Sequence, residues 1–164
     1  MRAPICADCL KTEDLCKECS ERKEKGELSD LDVNVSRYLY KLEKTLFISN
    51  TDLVKTHDLG DFALLIVDGN IAPLIGKQGR MIKQISMDLG RKVRIVAKGD
   101  VRNMVQDIIS PARLYGINVL FKDGSESYTV VIPDSDKKKV IMSDDTLRKA
   151  LSTILDKEVT VRYS

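Results

Sequence analysis

Apolar positions along the chain change period several times, and each change marks an element. Phe62-Ala-Leu-Leu-Ile-Val67 is a continuous apolar run between Gly60-Asp61 and Asp68-Gly-Asn70, the pattern of a buried strand. A shorter run, Leu46-Phe-Ile-Ser49, reads as a strand before it. After Ile71-Ala-Pro-Leu-Ile75, the residues Met81, Ile82, Ile85 and Leu89 recur at helical spacing, and Gly90 follows as a C-terminal cap. Arg91-Lys-Val-Arg-Ile-Val-Ala97 alternates charge with Val93, Ile95 and Ala97, as a half-buried strand does. The order is strand, helix, glycine loop, helix, strand. Upstream, Val33, Val35, Leu39, Tyr40 and Leu42 mark a helix running to about Leu42, with Asp30 or Asp32 as its cap. Ser20 to Asp30, rich in Glu, Lys, Gly and Ser, reads as a helix tail and linker.

Composition narrows the architecture. A chain of 164 residues has room for one ordinary domain or a few small modules, and 5% aromatic residues with no Trp favour small layers over one thick core. Lys and Arg total 27 against 25 Asp and Glu, a net charge of +2, so any nucleic-acid site must be a local patch. No run approaches the length of a membrane span, and Met-Arg-Ala-Pro-Ile-Cys lacks the apolar core of a signal peptide. The expected location is cytoplasmic, where structural disulfides are disfavoured.

All four cysteines fall within the first twenty residues, as Cys6-Ala-Asp-Cys9 and Cys16-Lys-Glu-Cys19. Two such turns aim four thiolates at one ion, the ligand set of a closed structural zinc site. The segment around them is too polar to fold by apolar burial, so the metal would supply its folding energy. An iron-sulfur cluster is the chemical alternative. A redox dithiol or a pair of labile disulfides fits the clustering and the compartment less well.

Residues 71–100 carry Lys77, Arg80, Lys83, Arg91, Lys92, Arg94 and Lys98 against Asp88 and Asp100, a local charge of +5. The excess surrounds Ile75-Gly-Lys-Gln-Gly-Arg-Met-Ile82, a Gly-x-x-Gly turn between two helices. Without side chains at Gly76 and Gly79, a sugar-phosphate backbone can approach the loop and the helix N-terminus behind it. The plainer reading is a turn whose glycines only permit tight helix packing. The motif with its neighbours resembles the signature of a KH domain, whose loop clamps about four nucleotides of single-stranded nucleic acid.

The following segment, from Asp100 through Ser110-Pro-Ala-Arg113 to Gly116-Ile-Asn-Val-Leu-Phe121, resembles the bridge between the tandem KH domains of the NusA family of transcription factors. The likeness spans residues 44–163 and is closest to the compact archaeal members. It implies an α+β fold of two small type II KH domains, each a three-stranded sheet packed with helices, behind the zinc module. Tyr128-Thr-Val-Val-Ile-Pro-Asp134 takes the place of the second domain's second strand, followed by a helix from Asp145 to Leu155 and a strand from Glu158 to Tyr163. The chain departs from the family at Met142-Ser-Asp-Asp145, where the second glycine pair is replaced and two carboxylates sit where phosphate would bind. A second domain kept as scaffold with its clamp lost is the expectation. Lys137-Lys-Lys139 is a solvated face or a nonspecific contact.

The implied organisation is a zinc module and linker at 1–28, a connecting helix at 29–43, a first KH domain at 44–99 and a degenerate second one at 100–164. The implied RNA-binding residues are Ile75, Gly76, Lys77, Gln78, Gly79 and Arg80, with Lys83, Arg91 and Arg94 alongside; the zinc ligands are Cys6, Cys9, Cys16 and Cys19. The implied partner is single-stranded RNA, with RNA polymerase or the ribosome beside it, and neither a membrane nor a small-molecule substrate. No nucleotide-hydrolysis or metalloprotease motif is present, and His57 between Thr56 and Asp58 reads as a surface residue in a polar turn. The expected role is non-enzymatic, acting on nascent RNA in transcription elongation or termination. The alternatives are a ribosome-associated or RNA-processing factor that docks through its zinc module and second KH domain, or a subunit that delivers RNA to a catalytic partner.

Overall fold

The computed structural model describes residues 1–48 and 50–164, which form two compact units, Met1–Lys98 and Gly99–Ser164. The protein is α+β, with two separate three-stranded sheets among the described residues. No helix of the described residues is long and apolar enough to cross a membrane.

The first unit opens with two short helices, α1 (Ala7–Lys11) and α2 (Lys17–Glu24), and the long α3 (Asp30–Leu46). Strands β1 (Asp52–Asp58) and β2 (Phe62–Asp68) follow, then α4 (Ala72–Ile75), a 3-10 turn over Lys77–Gly79, α5 (Arg80–Leu89) and β3 (Lys92–Ala97). β2 lies in the middle, antiparallel to β1 and parallel to β3. The second unit repeats this order with α6 (Val101–Ile109), β4 (Gly116–Lys122), β5 (Ser125–Ile132), a 3-10 segment over Asp134–Lys139, α7 (Asp144–Leu155) and β6 (Glu158–Tyr163). Its middle strand β5 is likewise antiparallel to β4 and parallel to β6.

The core of the first unit joins Ala63, Leu65 and Val67 of β2 to Val93 and Ile95 of β3, Ile85 of α5, Leu74 of α4, and Val35 and Leu39 of α3. Burying each large side chain here is worth roughly 1.5–3 kcal/mol. A smaller cluster of Ile5, Cys9, Leu10, Cys19 and Leu28 packs on Val33, toward the start of α3. That helix therefore serves both layers, one with Val35 and Leu39 and the other with Val33 and Tyr40.

Three expectations need correction. The run at 46–49 is not a strand: α3 continues to Leu46 and ends with Phe47 in left-handed conformation (φ 53°), and Ser49 lies outside the described residues. The apolar spacing of Val35, Leu39, Leu42 and Leu46 carries the helix onward, and all four contribute to the same core. The outer strand is β1 instead, where His57 stands half-buried opposite Leu64 rather than in a polar turn. Burial and the nearby Lys55 ammonium hold this imidazole below its ordinary pKa. The cap of α3 is Ser29, whose side chain accepts from the Asp32 N–H while the Asp32 carboxylate accepts from the Ser29 N–H.

Asp32 is fully buried, and it does more than close the cap. Its Oδ1 accepts from the Thr56 N–H at 2.9 Å and the Thr56 hydroxyl at 2.8 Å, and its Oδ2 meets Lys55 Nζ at 2.7 Å. Burial raises its pKa, but the Lys55 ammonium, the Ser29 N–H and the Thr56 donors outweigh that effect and hold it below its ordinary 3.8. Asp32→Ala leaves these donors without their acceptor and should cost about 3 kcal/mol, read as a lower denaturant midpoint. Because the folded-state pKa is depressed, the stabilisation is complete above the ordinary value and lost as pH falls through the folded one. Wild-type stability should therefore fall more steeply below about pH 4 than that of Asp32→Asn in acid titrations followed by circular dichroism.

Candidate metal centre and nucleic-acid interface

The two Cys-x-x-Cys turns are built alike. Cys6 and Cys16 stand at the N-caps of α1 and α2, in extended backbone, and Cys9 and Cys19 follow on the first turn of each helix. Each pair thus sits where a helix N-terminus favours a thiolate. The four Sγ atoms lie within 4.8 Å of one another, and Cys6 Sγ is 3.8 Å from Cys16 Sγ. Four sulfurs about 2.3 Å from a central zinc would be about 3.8 Å apart, so the cluster has the dimensions of a one-ion site.

Protein donors already address these sulfurs. The Cys16 N–H donates to Cys9 Sγ at 3.1 Å, and the Cys19 N–H to Cys16 Sγ at 3.4 Å. That second bond is the main reason the Cys16 thiol falls to about 7. Burial pushes the Cys9 thiol up to about 12 and also raises that of Cys19. From α3, Arg37 Nε donates to the Cys9 carbonyl at 3.0 Å, which ties the cysteine turns to the long helix.

The glycine loop lies at the junction of α4 and α5. Gly76 has φ 75° and ψ 172°, and a Cβ there would sit 2.7 Å from Met81 Cβ and 2.8 Å from Met81 N. Only glycine fits. Gln78 and Gly79 continue in left-handed conformation (φ 57° and 73°), but a Cβ on Gly79 would meet only Ile82 Cγ2, at 3.8 Å. Gly79 is the N-cap of α5 and brings no side-chain acceptor to the helix's first turn. Lys77, Gln78 and Arg80 are exposed around it, and Ile75 is half-buried at its base.

Lys83 extends this cationic surface along α5, on the face that also carries Arg80, Gln84 and Met87. Met87 is 75% exposed, not core as its apolar character implies, so an apolar side chain ends a basic stripe. The helical phase that puts Ile82, Ile85 and Leu89 inward leaves position 87 outside. Arg91 and Arg94 do not join the loop. Arg91 Nη2 is held by Asp58 Oδ1 at 2.7 Å and by the carbonyls of Gly60 and Phe62, closing the β1–β2 turn. The same guanidinium drives the Asp58 carboxyl down to about 2. Arg94 pairs with Leu64 and alternates with the core residues Val93 and Ile95, so it lies on the sheet face opposite α5.

The corresponding helix start in the second unit is closed. Ser143 caps α7 by accepting from the Thr146 N–H, and Asp144 and Asp145 occupy the first turn. The basic run beside it is partly engaged: Lys139 Nζ lies 3.1 Å from the buried Asp136 carboxylate, and Lys137 Nζ stands 5.1 Å over the Tyr163 ring. Asp136 also accepts from the Arg113 N–H and guanidinium, which holds its carboxyl far below the ordinary range. Lys137, Asp144, Arg148, Thr160, Val161 and Tyr163 line a cleft of about 380 Å³ between α7 and β6.

No family model and no curated protein matches this sequence. Among solved structures, the chain is similar to the crystal structure of APE1850, an archaeal protein, at 20% identity. The superposition has a TM-score of 0.53 and covers 76% of this chain and 96% of that one, a likeness of fold.

Proposed function

We propose that the protein binds single-stranded RNA through the Gly76–Gly79 loop of a type II KH domain, as a NusA-like factor acting on nascent transcripts. The observation that carries this reading is Gly76, seated where any Cβ would strike Met81, at the mouth of a helix whose first turn has no side-chain cap. Lys77, Arg80 and Lys83 surround that mouth with cations. Phosphates would take the free helix end and the cations, and bases would lie over the apolar side chains of α5, Met87 among them. The shared element order of both units supports a tandem arrangement, and the Ser143 cap supports a second unit that has given up its clamp.

Structural zinc is the proposed ion of the cysteine cluster. A polynuclear iron-sulfur centre spreads its thiolates around several irons, whereas these sulfurs all lie within 4.8 Å of one another. Cys6, Cys9, Cys16 and Cys19 would hold the ion, which would supply folding free energy to a segment whose cysteines have the small cluster on Val33 as apolar support.

Gly79→Asp should keep the fold at a cost of about 1 kcal/mol, since a Cβ there meets only Ile82 and Asp is among the residues that tolerate left-handed backbone, while its carboxylate repels phosphate. Its affinity for a single-stranded RNA pool should fall at least about tenfold in a fluorescence titration; equal affinity would contradict the loop as the clamp. Gly76→Ala should instead destabilise the first unit by about 2 kcal/mol through strain and overlap with Met81. In cells, crosslinked reads spread over many nascent transcripts would support the transcription role, and reads concentrated on ribosomal RNA would support the ribosomal alternative.

Elemental analysis should find one zinc per chain without the visible absorbance of iron-sulfur centres. Chelation should abolish hydrogen-exchange protection through α2 and weaken it around Leu28 and Val33, with the unit at Gly99–Ser164 unchanged.

A further inference from the structure

β4 is an edge strand that the rest of its unit leaves open. Among the described residues it borders only β5, and Val119, Leu120 and Phe121 are 46%, 57% and 71% exposed, with Tyr115 before them at 74%. Side chains alternate across a strand, so Ile117, Val119 and Phe121 present one apolar row while Leu120 projects from the other face. The strand is also regular. Its pairing with β5 runs unbroken from Gly116↔Val131 to Lys122↔Ser125, and the Asp123-Gly124 turn, with φ 52° and 78°, closes the hairpin tightly.

The other sheet edges carry the features that deter pairing. β1 has a register shift between Leu53 and Lys55, and charged Asp52, Lys55 and Asp58. β3 carries Lys92 and Arg94, and β6 carries Glu158 and Arg162. β4 has no proline and no bulge, and its sole charge, Lys122, stands at the end. An open apolar edge without these devices is a template for another strand.

We infer that β4 pairs antiparallel with β4 of a second copy of this chain, centred on Val119, to join two three-stranded sheets into one. The strand's own sequence is the argument for that occupant. In this register Ile117 faces Phe121 of the other copy, Leu120 faces Asn118, and Lys122 faces Gly116, which has no side chain to obstruct it. The two Lys122 ammonium groups fall at opposite ends. In this register Lys122, the strand's one charge, falls opposite an uncharged residue, so no like charges are opposed. A two-fold pairing of this kind is closed and self-limiting.

Sedimentation velocity on the full chain across a concentration series tests it. The expected result is a species of twice the 18.4 kDa chain mass that dissociates on dilution. Val119→Lys places two ammonium groups face to face on the axis and should weaken association by about tenfold or more, with circular dichroism unchanged. Val119→Thr should retain the dimer. Oxidised Val119→Cys should give a symmetric crosslinked peptide by mass spectrometry. A chain that stays monomeric at every soluble concentration overturns the inference, as does a dimer indifferent to Val119→Lys or one that yields no such crosslink.

Discussion

Everything in the first unit is hung on the direction of α3, and one buried carboxylate fixes that direction. Asp32 belongs to the helix by its capping box and to β1 by its bonds to Thr56, and Lys55 neutralises it from the strand's flank. Few constraints are stricter, because a buried carboxylate that loses its partners is far costlier than an apolar side chain that shifts. With α3 set this way, Val35 and Leu39 reach the sheet core and Val33 turns to the cysteine segment. The cysteine cluster and the sheet are thereby referenced to one helix. The same sheet, through β2, β3 and the helices over it, places the glycine loop.

The two units show how one topology can be given different chemistry at a single position. Both run helix, strand, strand, short helical segment, helix, strand, with the same pairing. At the start of α5 the N-cap is a glycine, and no side chain caps the helix. At the start of α7 the N-cap is Ser143, followed by two aspartates, so the protein satisfies that end itself. Helix termini must find partners in either case. The second unit meets that requirement with a side chain of its own, and the first brings no side chain to it.

What was legible in the sequence follows from how local each feature is. The Cys-x-x-Cys pairs set their own geometry within a turn, and the structure gathers all four sulfurs. The apolar run of β2 and the helical spacing of α5 are likewise carried by neighbouring residues. β1 is hard to read from sequence because its buried residues include Thr56, a polar side chain made acceptable inside by Asp32, which is distant in sequence. Nothing local to Arg91 reveals Asp58 beside it, 33 positions away, so the sequence alone presents it as a ligand-facing charge. The end of α3 and its Ser29-x-x-Asp32 cap, by contrast, are written in the local pattern, in the apolar spacing that runs on to Leu46 and in the serine three residues before Asp32.

The central claim is that the first unit offers a helix end and a glycine loop to a nucleic-acid backbone while the second does not. Amide chemical-shift mapping with a short single-stranded RNA tests this most directly. The account predicts perturbations concentrated at Gly76–Arg80 and along the exposed face of α5, with Ser143–Thr146 unmoved. Perturbations centred on Ser143–Thr146, or none at Gly76–Arg80 at saturating RNA, would contradict it.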